Sequence, residues 1–404
     1  MNIGIMTHCV ASNDGANLQA LSTGDWLKRH GYTPVYFLWN AYLEDEVKLV
    51  LPEQLEIHRN FLKKQGYIVS KPCRSDSDFL DVIKEYNIEN ILVGSDCVLT
   101  YYPCKFPYIL TRKGIIKRKV AEDWKFPNPF WLPFLKGNKL VKRFMISASG
   151  GSTEYKQIDE STRKQMRDLL SEFDFISVRD HIALNMVNSL FGKENEPLLT
   201  ADPVFGFDDL SIQIPSEEEI RNKFNLPEKY FVVSFFAHYW PSNKWCNELC
   251  FETNKYGIKC LSVPVPSGGY QPELDQKIDL PLDPIDWYCL IKYSSGYIGN
   301  KMHPLIVCLR NVVPFFSFNV TGRFFLRGRI QDVRYGKVYD LLKRFDLEEF
   351  QIPQKHNSKA KPDYVVNKLF EFNLEQRRYI ADLMKDSHEN MMQIVSSNFT
   401  NNKR

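Results

Sequence analysis

Four short segments hold residues able to bind anions or move protons, and each follows a run that reads as a buried strand. The first is Asn13-Asp14-Gly15-Ala16-Asn17-Leu18-Gln19-Ala20. It leads into a helix whose free backbone amides could hold an anion, or it is an Asx turn with a helix cap. In Gly94-Ser95-Asp96 the glycine lets another group approach closely, and the two polar residues are exposed candidates or an N-cap. Ser177-Val178-Arg179-Asp180 ends a strand with an arginine. Its planar fork suits a carboxylate or phosphate in a cleft, unless it pairs with Asp180 or another acid. The fourth, Gly296-Tyr297-Ile298-Gly299-Asn300-Lys301-Met302-His303-Pro304, ends a strand at Gly299 and opens a helix. His303 then lies near a helix N-terminus, where the dipole favours a neutral imidazole suited to general-base work near neutral pH. A structural histidine is the other reading. A cluster of Arg323, Arg327, Arg329 and Arg334, interleaved with Phe324 and Phe325, is either solvated surface or phosphate-binding.

The elements that must position these residues alternate. Strands are expected at 3–6, 33–39 and 91–93, with helices at 17–30, 53–65 and 79–86, the first two stopping at Gly31 and Gly66. The order resumes with strands at 144–147, 175–178 and 197–200 and helices at 161–173 and 181–190. A fresh strand at 230–235 follows an acidic, polar stretch. Strands at 258–263, 296–298 and 314–318 then alternate with helices at 286–293 and 304–309, and long helices fill 364–396. Such alternation argues for parallel βαβ units. We expect an α/β chain of two doubly wound, Rossmann-like domains facing a cleft, over residues 1–212 and 213–404, with C-terminal helices at 362–397. In such domains ligands bind beyond the C-terminal strand ends.

Composition narrows the function classes. The formal net charge of the 404 residues is +3, so nothing global argues for nucleic acid. The charge is uneven: 101–143 carries eleven Lys/Arg against Glu122 and Asp123, a local +9, leaving −6 elsewhere. That stretch also has five prolines and is expected as a loop-rich insertion. Nine cysteines, odd in number and with no CxxC pair, fit a reducing cytosol better than a disulfide framework. Cys246 and Cys250 would share a helix face, but without further ligands nearby no metal site is expected. The N-terminus reads as a strand, and no run approaches the roughly 20 apolar residues of a membrane span. Walker, GxGxxG, HExxH, GxSxG and kinase signatures are missing, which disfavours NTPase, nicotinamide and zinc-hydrolase chemistry.

Taken in order, the segments resemble the polysaccharide pyruvyl transferase family. Residues 13–20 look like its "N-x-G-A-x-L-Q-A" helix start, and Val93-Gly94-Ser95-Asp96 is similar to its "V-G-S-D-Q-V-W" strand end, with Cys97-Val98-Leu99 in place of Gln-Val-Trp. Ser177-Val178-Arg179-Asp180 matches "S-V-R-[DE]", and Asp202-Pro203-Val204 matches "D-P-[VT]". Gly299-Asn300-Lys301-Met302-His303 resembles "G-x-[RK]-M-H", and Val313-Pro314-Phe315 the strand that follows it.

The resemblance implies a fold like that of GT-B glycosyltransferases, phosphoenolpyruvate as donor substrate with no cofactor or metal, and a cyclic pyruvate ketal on a sugar as product. His303 would be the catalytic acid/base; Arg179, Lys301, Asn300 and Arg323 would bind the donor. Asn13, Asp14, Gly15, Asn17, Gly94, Ser95 and Asp96 would line the cleft or meet the acceptor. Lysine at 301 replaces the commoner arginine and loses bidentate geometry. Either the donor is held differently, or the Arg323–Arg334 cluster compensates. The insertion, with Trp124 and Trp131 among lysines, would be a flap over the cleft, a rest on anionic membrane, or a charged surface insertion with neither role. The setting would be capsule or exopolysaccharide synthesis in the cytoplasm, at the inner face of the plasma membrane, on a polyprenyl-diphosphate-linked acceptor. The rival readings are a GT-B glycosyltransferase using a nucleotide sugar and a non-catalytic glycan-binding protein.

Overall fold

In the computed structural model the first strand, β1 (Asn2–Met6), is flanked on one side by β2 (Thr33–Leu38) and β3 (Ile68–Pro72). On its other side lie β4 (Asn90–Val93), β7 (Lys142–Ala148), β8 (Phe175–Val178) and β9 (Leu198–Leu199), all parallel. Strands β5 (Tyr108–Thr111) and β6 (Gly114–Lys117) form a separate hairpin. The layers around this sheet are α1 (Asp14–Arg29), α2 (Pro52–Lys64), α3 (Asp76–Glu85), α4 (Glu160–Leu170) and α5 (His181–Phe191). The structure describes residues 1–399 except 40–49, 103–107, 112–113, 118–119, 152, 193–195, 237–240, 267–270, 326–329 and 354–359; the side chains of 108–111, 115–117, 323–325 and 330 are also outside the description.

After α6 (Asp209–Ile212) and α7 (Glu217–Phe224) a second sheet repeats the plan. Strand β10 (Tyr230–Ser234) is followed by α8 (Asn243–Asn254), β11 (Lys259–Ser262), β12 (Gln276–Lys277), α9 (Pro284–Lys292), β13 (Gly296–Gly299), α10 (Met302–Arg310) and β14 (Phe315–Asn319). A β15 (Arg323–Phe325) and β16 (Ile330–Asp332) hairpin, α11 (Lys337–Lys343), β17 (Gln351–Pro353), α12 (Pro362–Glu371) and α13 (Leu374–Ser397) complete the chain. The sheet order is β12-β11-β10-β13-β14-β17. Both β10 and β13 are buried throughout, as strands covered on both faces must be.

In each sheet the chain runs outward from its first strand and then returns to that strand's other side. The order therefore reverses between β1 and β4, and again between β10 and β13. Crevices at such reversals are where α/β sheets bind ligands. The sequence segments that follow β1, β4 and β13 lie at these two points.

Several boundaries differ from the sequence expectation. Helix α1 starts at Asp14 and not near residue 17, because the Asn13 side chain accepts a hydrogen bond from the Ala16 amide at 3.4 Å and caps it. Helix α10 starts at Met302, which puts His303 in its first turn. Strands β3, β12 and β17 lack the periodic signal needed to find them; β3, for example, has one buried residue in five. Helices α8 (Trp245, Cys246, Leu249, Thr253) and α11 (Val338, Leu341, Leu342), by contrast, carry a helical burial period that the expected elements leave out.

The insertion at 101–143 corrects a second expectation. Its described aromatics are tied down by three short 3-10 turns, two of them opened by proline. Trp131 is 1% exposed and packs edge-on against Phe126 at 4.8 Å, while Phe134 stacks on Phe79 at 4.6 Å. Trp131 is thus a core residue and cannot touch a membrane or form a flap. Trp124, 37% exposed, remains at the surface. No helix among the described residues is long and apolar enough to cross a membrane.

One hydrophobic core runs through both domains, joining Leu18, Tyr36 and Phe205 to Val232, Ile306 and Leu309. Helix α13 adds Met391, Met392 and Val395 to it. The Trp26 indole donates to Glu389 at 2.8 Å and Lys142 Nζ to the Asn398 carbonyl at 2.7 Å, so this helix braces the first domain. His388, facing inward, meets Gly206 so closely that a Cβ there would overlap its ring. Neither ring nitrogen has a hydrogen-bond partner, and burial lowers its pKa from 6.5 to about 4. The folded state therefore prefers the neutral ring. Its contribution to stability is complete above pH 6.5 and lost as pH falls toward 4, on the order of 3 kcal/mol in all. Replacing His388 with leucine should flatten the rise in unfolding free energy between pH 4 and 6.5 by about one proton relative to the native chain. Urea titrations at several pH values measure this; identical slopes would show that His388 does not titrate on unfolding.

Candidate active site

The first turns of α1 and α10 meet across the domain boundary. Gly15 sits against His303: a Cβ at residue 15 would overlap that side chain at Cβ and at the ring atoms Cγ and Nδ1. A space of about 30 Å³ lies beside them, lined by Ser12, Asp14, Gly15, Ser234, Lys301 and His303 among others. The His303 Nε2 is buried and has no hydrogen-bond partner. Burial first, then the charges of Arg179 and Lys337, lower its pKa from 6.5 to about 4 against the opposing pull of Asp96 and Asp202. The imidazole is a neutral base at physiological pH.

Below it lies a buried charge cluster on the first domain. Arg179 donates to Asp202 at 2.5 Å, to Asp96 at 2.8 Å and to the Ser95 hydroxyl at 3.3 Å. Gln19 also donates to Asp202, at 2.5 Å, and Ser95 donates to the Ser147 carbonyl at 2.7 Å. Burial would raise the Asp96 pKa, yet Arg179, then His303 and Lys337, hold it well below the usual carboxylate range. The Arg179 fork, expected to bind the donor, is filled by two carboxylates instead. Asp180 does not join it; that side chain accepts from the Ala183 amide at 2.8 Å and caps α5.

A second group surrounds Asp14. Burial raises its carboxyl from 3.8 to about 7, with Lys301 opposing and Asp283 reinforcing the shift. Lys301 moves the other way, lowered by burial from 10.5 to about 8, and its ammonium lies 4.4 Å from the centre of the Phe236 ring. His58 Nε2 stands 3.7 Å from Asp14 and is itself lowered by burial to about 4. Asn17 is fully buried and does not line the cleft; its amide points inward, 2.9 Å from His58 and 3.0 Å from the Ala11 carbonyl. Asn300 is likewise not free for the donor. It accepts from the Phe236 amide at 2.8 Å and donates to the Phe236 carbonyl at 3.1 Å, clamping the exit of β10. Gly94, at φ +122°, faces β7, where a Cβ would overlap the Ile146 carbonyl, so packing and not a ligand requires it. The side chain of Arg323 and all of Arg327 and Arg329 lie outside the described residues. Arg334 is exposed and pairs with Asp332.

Sequence patterns missed one cation. Lys337 opens α11 and its Nζ lies 3.8 Å from Cys97 Sγ, close enough for its charge to act on Asp96, Lys301 and His303. With Trp124, Thr100 and Gly322 it lines a cavity of about 150 Å³. Asp202 and Gln19 stood within recognised motifs, but nothing in the sequence joined them to Arg179. Among the described residues the one group with clustered metal-ligand atoms is Cys250, Cys260 and Asp275, on the second domain; Cys246 is not part of it.

Two sheets of this order, with helix starts meeting across the cleft, define a GT-B-type protein. UDP-GlcNAc 2-epimerase from Neisseria meningitidis bound to UDP-GlcNAc is similar at TM-score 0.56 and 11% identity, over 98% of this chain and 100% of that one. The glycotransferase of kitacinnamycin gives 0.52 and 10%, over 99% of each chain. The spinosyn rhamnosyltransferase SpnG gives 0.51 and 8%, over 98% and 100%. At these identities the likeness shows the fold alone. No curated protein matches the chain. The family model "Polysaccharide pyruvyl transferase" matches residues 13–322, and the chain belongs to that family of enzymes.

The Gly15–His303 approach makes a prediction independent of any substrate. His303 in the native chain should remain neutral to about pH 4 by imidazole NMR. Gly15→Ala should expel the ring and bring its pKa back toward 6.5 while α1 stays folded. An unchanged titration in the variant would show that the two residues do not touch.

Proposed function

We propose that this protein transfers the pyruvyl group of phosphoenolpyruvate to a sugar of a polysaccharide precursor, as a cyclic ketal, with His303 as base and Asp14 as acid. The reading rests above all on two groups lining one space with their pKa values displaced in opposite directions. Asp14 is raised to about 7 and His303 lowered to about 4. Between those values a protonated carboxyl and a neutral imidazole coexist, the combination that proton transfer in both directions needs. Asp14 occupies a position the family pattern leaves open.

The chemistry proceeds through the donor's double bond. Asp14 gives its proton to the methylene carbon, and positive charge develops at the carbon bearing the phosphate. A sugar hydroxyl adds there as His303 removes its proton. Phosphate then leaves, taking up the proton held by His303, and a second hydroxyl of the sugar closes the ketal, its proton restoring Asp14. Lys301 and Lys337 hold the donor's carboxylate and phosphate, taking the role expected of Arg179. Arg179 instead fixes Asp96 and Asp202 beneath the imidazole. The acceptor is carried on polyprenyl diphosphate at the inner face of the plasma membrane, in capsule or exopolysaccharide synthesis; the net charge of +9 over residues 101–143 favours an anionic surface.

Incubation with phosphoenolpyruvate and lipid-linked galactosides or mannosides should release phosphate and add about 70 Da to the acceptor. His303→Ala should lower kcat/KM by about 10³-fold. The pH profile of kcat/KM should rise through about 4 and fall through about 7, and Asp14→Asn should remove the upper limb with most of the rate. Turnover of a nucleotide sugar with no such mass gain would defeat the proposal.

A further inference from the structure

A cavity of about 620 Å³ bounded by the described residues does not contain His303. It opens in the first domain beyond the ends of β2 and β3 and adjoins the active site through one loop. Val10 lines it, and Ser12 to Gly15 of the same loop line the space beside His303. Its volume is in the range of small-molecule sites and far exceeds what one phosphate fills.

Its chemistry is one-sided. Arg59 and Lys63 come from α2, Arg74 follows β3 and Lys125 comes from the insertion; Glu122, paired to Lys125, is the acid lining it. Within this set Arg59 stands out. Its Nε and Nη2 are buried and have no hydrogen-bond partner. A guanidinium donor removed from water and left unpaired is costly, and a bound anion would remove that penalty. Both donors lie on one edge of the planar fork, the edge that matches a carboxylate or phosphate once the half-buried side chain turns toward the cavity. Trp39, held edge-on by Phe130 at 4.9 Å, supplies an apolar wall, which suits the C–H face of a pyranose.

We propose that this cavity binds an anionic saccharide, phosphorylated or carboxylated, with its anion on Arg59 and a sugar face on Trp39. As a binding site it stands independently; as the seat of the acceptor it rests on the pyruvyl-transfer reading.

Calorimetry on the full chain tests it. The probes are the 1-phosphates of glucose, galactose, mannose and N-acetylglucosamine, together with glucuronate, inorganic phosphate, UDP and uncharged galactose. At least one anionic saccharide should bind ten-fold or more tightly than inorganic phosphate, UDP and galactose. The sugar phosphates and glucuronate tell the two anion types apart. Arg59→Met should weaken that binding at least ten-fold, and Arg59→Lys, which keeps the charge and loses the fork, should fall between. Trp39→Ala should weaken the saccharide and leave inorganic phosphate unchanged. His303→Ala should bind as the native chain does, even if pyruvyl transfer is absent, so the two proposals fail separately. The paired rim variant Lys63→Ala/Arg74→Ala covers the case in which Arg59→Met does not fold, and should also weaken binding. The site is overturned if no anionic saccharide exceeds inorganic phosphate, if UDP binds more tightly than all of them, or if the folded Arg59 and rim variants bind like the native chain.

Discussion

The ring of His303 can stand against the first turn of α1 because residue 15 has no side chain. From that one close approach much of the architecture follows. Both helix starts must project from the reversal points of their sheets, β1/β4 and β10/β13, and the two reversals must face each other. Asn13 fixes where α1 begins, so Asp14 falls in the same turn as the glycine. Asn300 fixes the chain just before α10 by holding Phe236 from both sides. Neither asparagine needs to touch a substrate for the site to depend on it.

The charges beneath the imidazole act through geometry more than through stability. A buried ion pair roughly offsets its own desolvation, while removal of one member is strongly destabilising. Arg179, Asp96 and Asp202 therefore form a rigid floor. Their fields on His303 oppose one another, carboxylates against cations, and burial decides the outcome in favour of the neutral ring. The second domain is tied into this floor. Arg344 donates to the Arg179 carbonyl at 3.1 Å, and Asp340 accepts from the His181 amide at 3.0 Å. Both flank or belong to α11, which is how Lys337 comes to stand beside Cys97.

What the sequence disclosed were the strand ends and the histidine. Glycines and buried runs mark 3–6, 91–93 and 296–299, and the helix start at His303 follows from the apolar stretch after it. Pairings across long separations were not legible. Arg179 finds Asp96 83 residues earlier and Asp202 23 residues later, while its nearest acid, Asp180, turns to cap a helix. Periodicity cannot announce such a choice, because it is made by the side-by-side placing of the parallel strands β4, β7, β8 and β9, whose ends bring these residues together. Trp131 misleads for a related reason: aromatics among lysines and prolines resemble an interfacial segment, yet 3-10 turns bury them without any helical or strand period. Lys337 and Arg59 stand in no motif, and their meaning comes from what surrounds them.

Helix α13 gives the molecule a mechanical property. Arg377, near its start, donates to the Val312 carbonyl on the second domain, while Glu389 and Asn398 are bonded to the first. The two domains are thus joined at both ends, by the backbone near residue 212 and by this returning helix. A pair of lobes with one connection opens like a book; with two, the hinge is closed into a frame. The continuous core has the same effect. Little orientational entropy is then left to lose when a ligand arrives, because the relative placing of His303 and Asp14 was settled during folding. The corresponding demand falls on access: ligands must reach the cleft through the openings of a stiff frame.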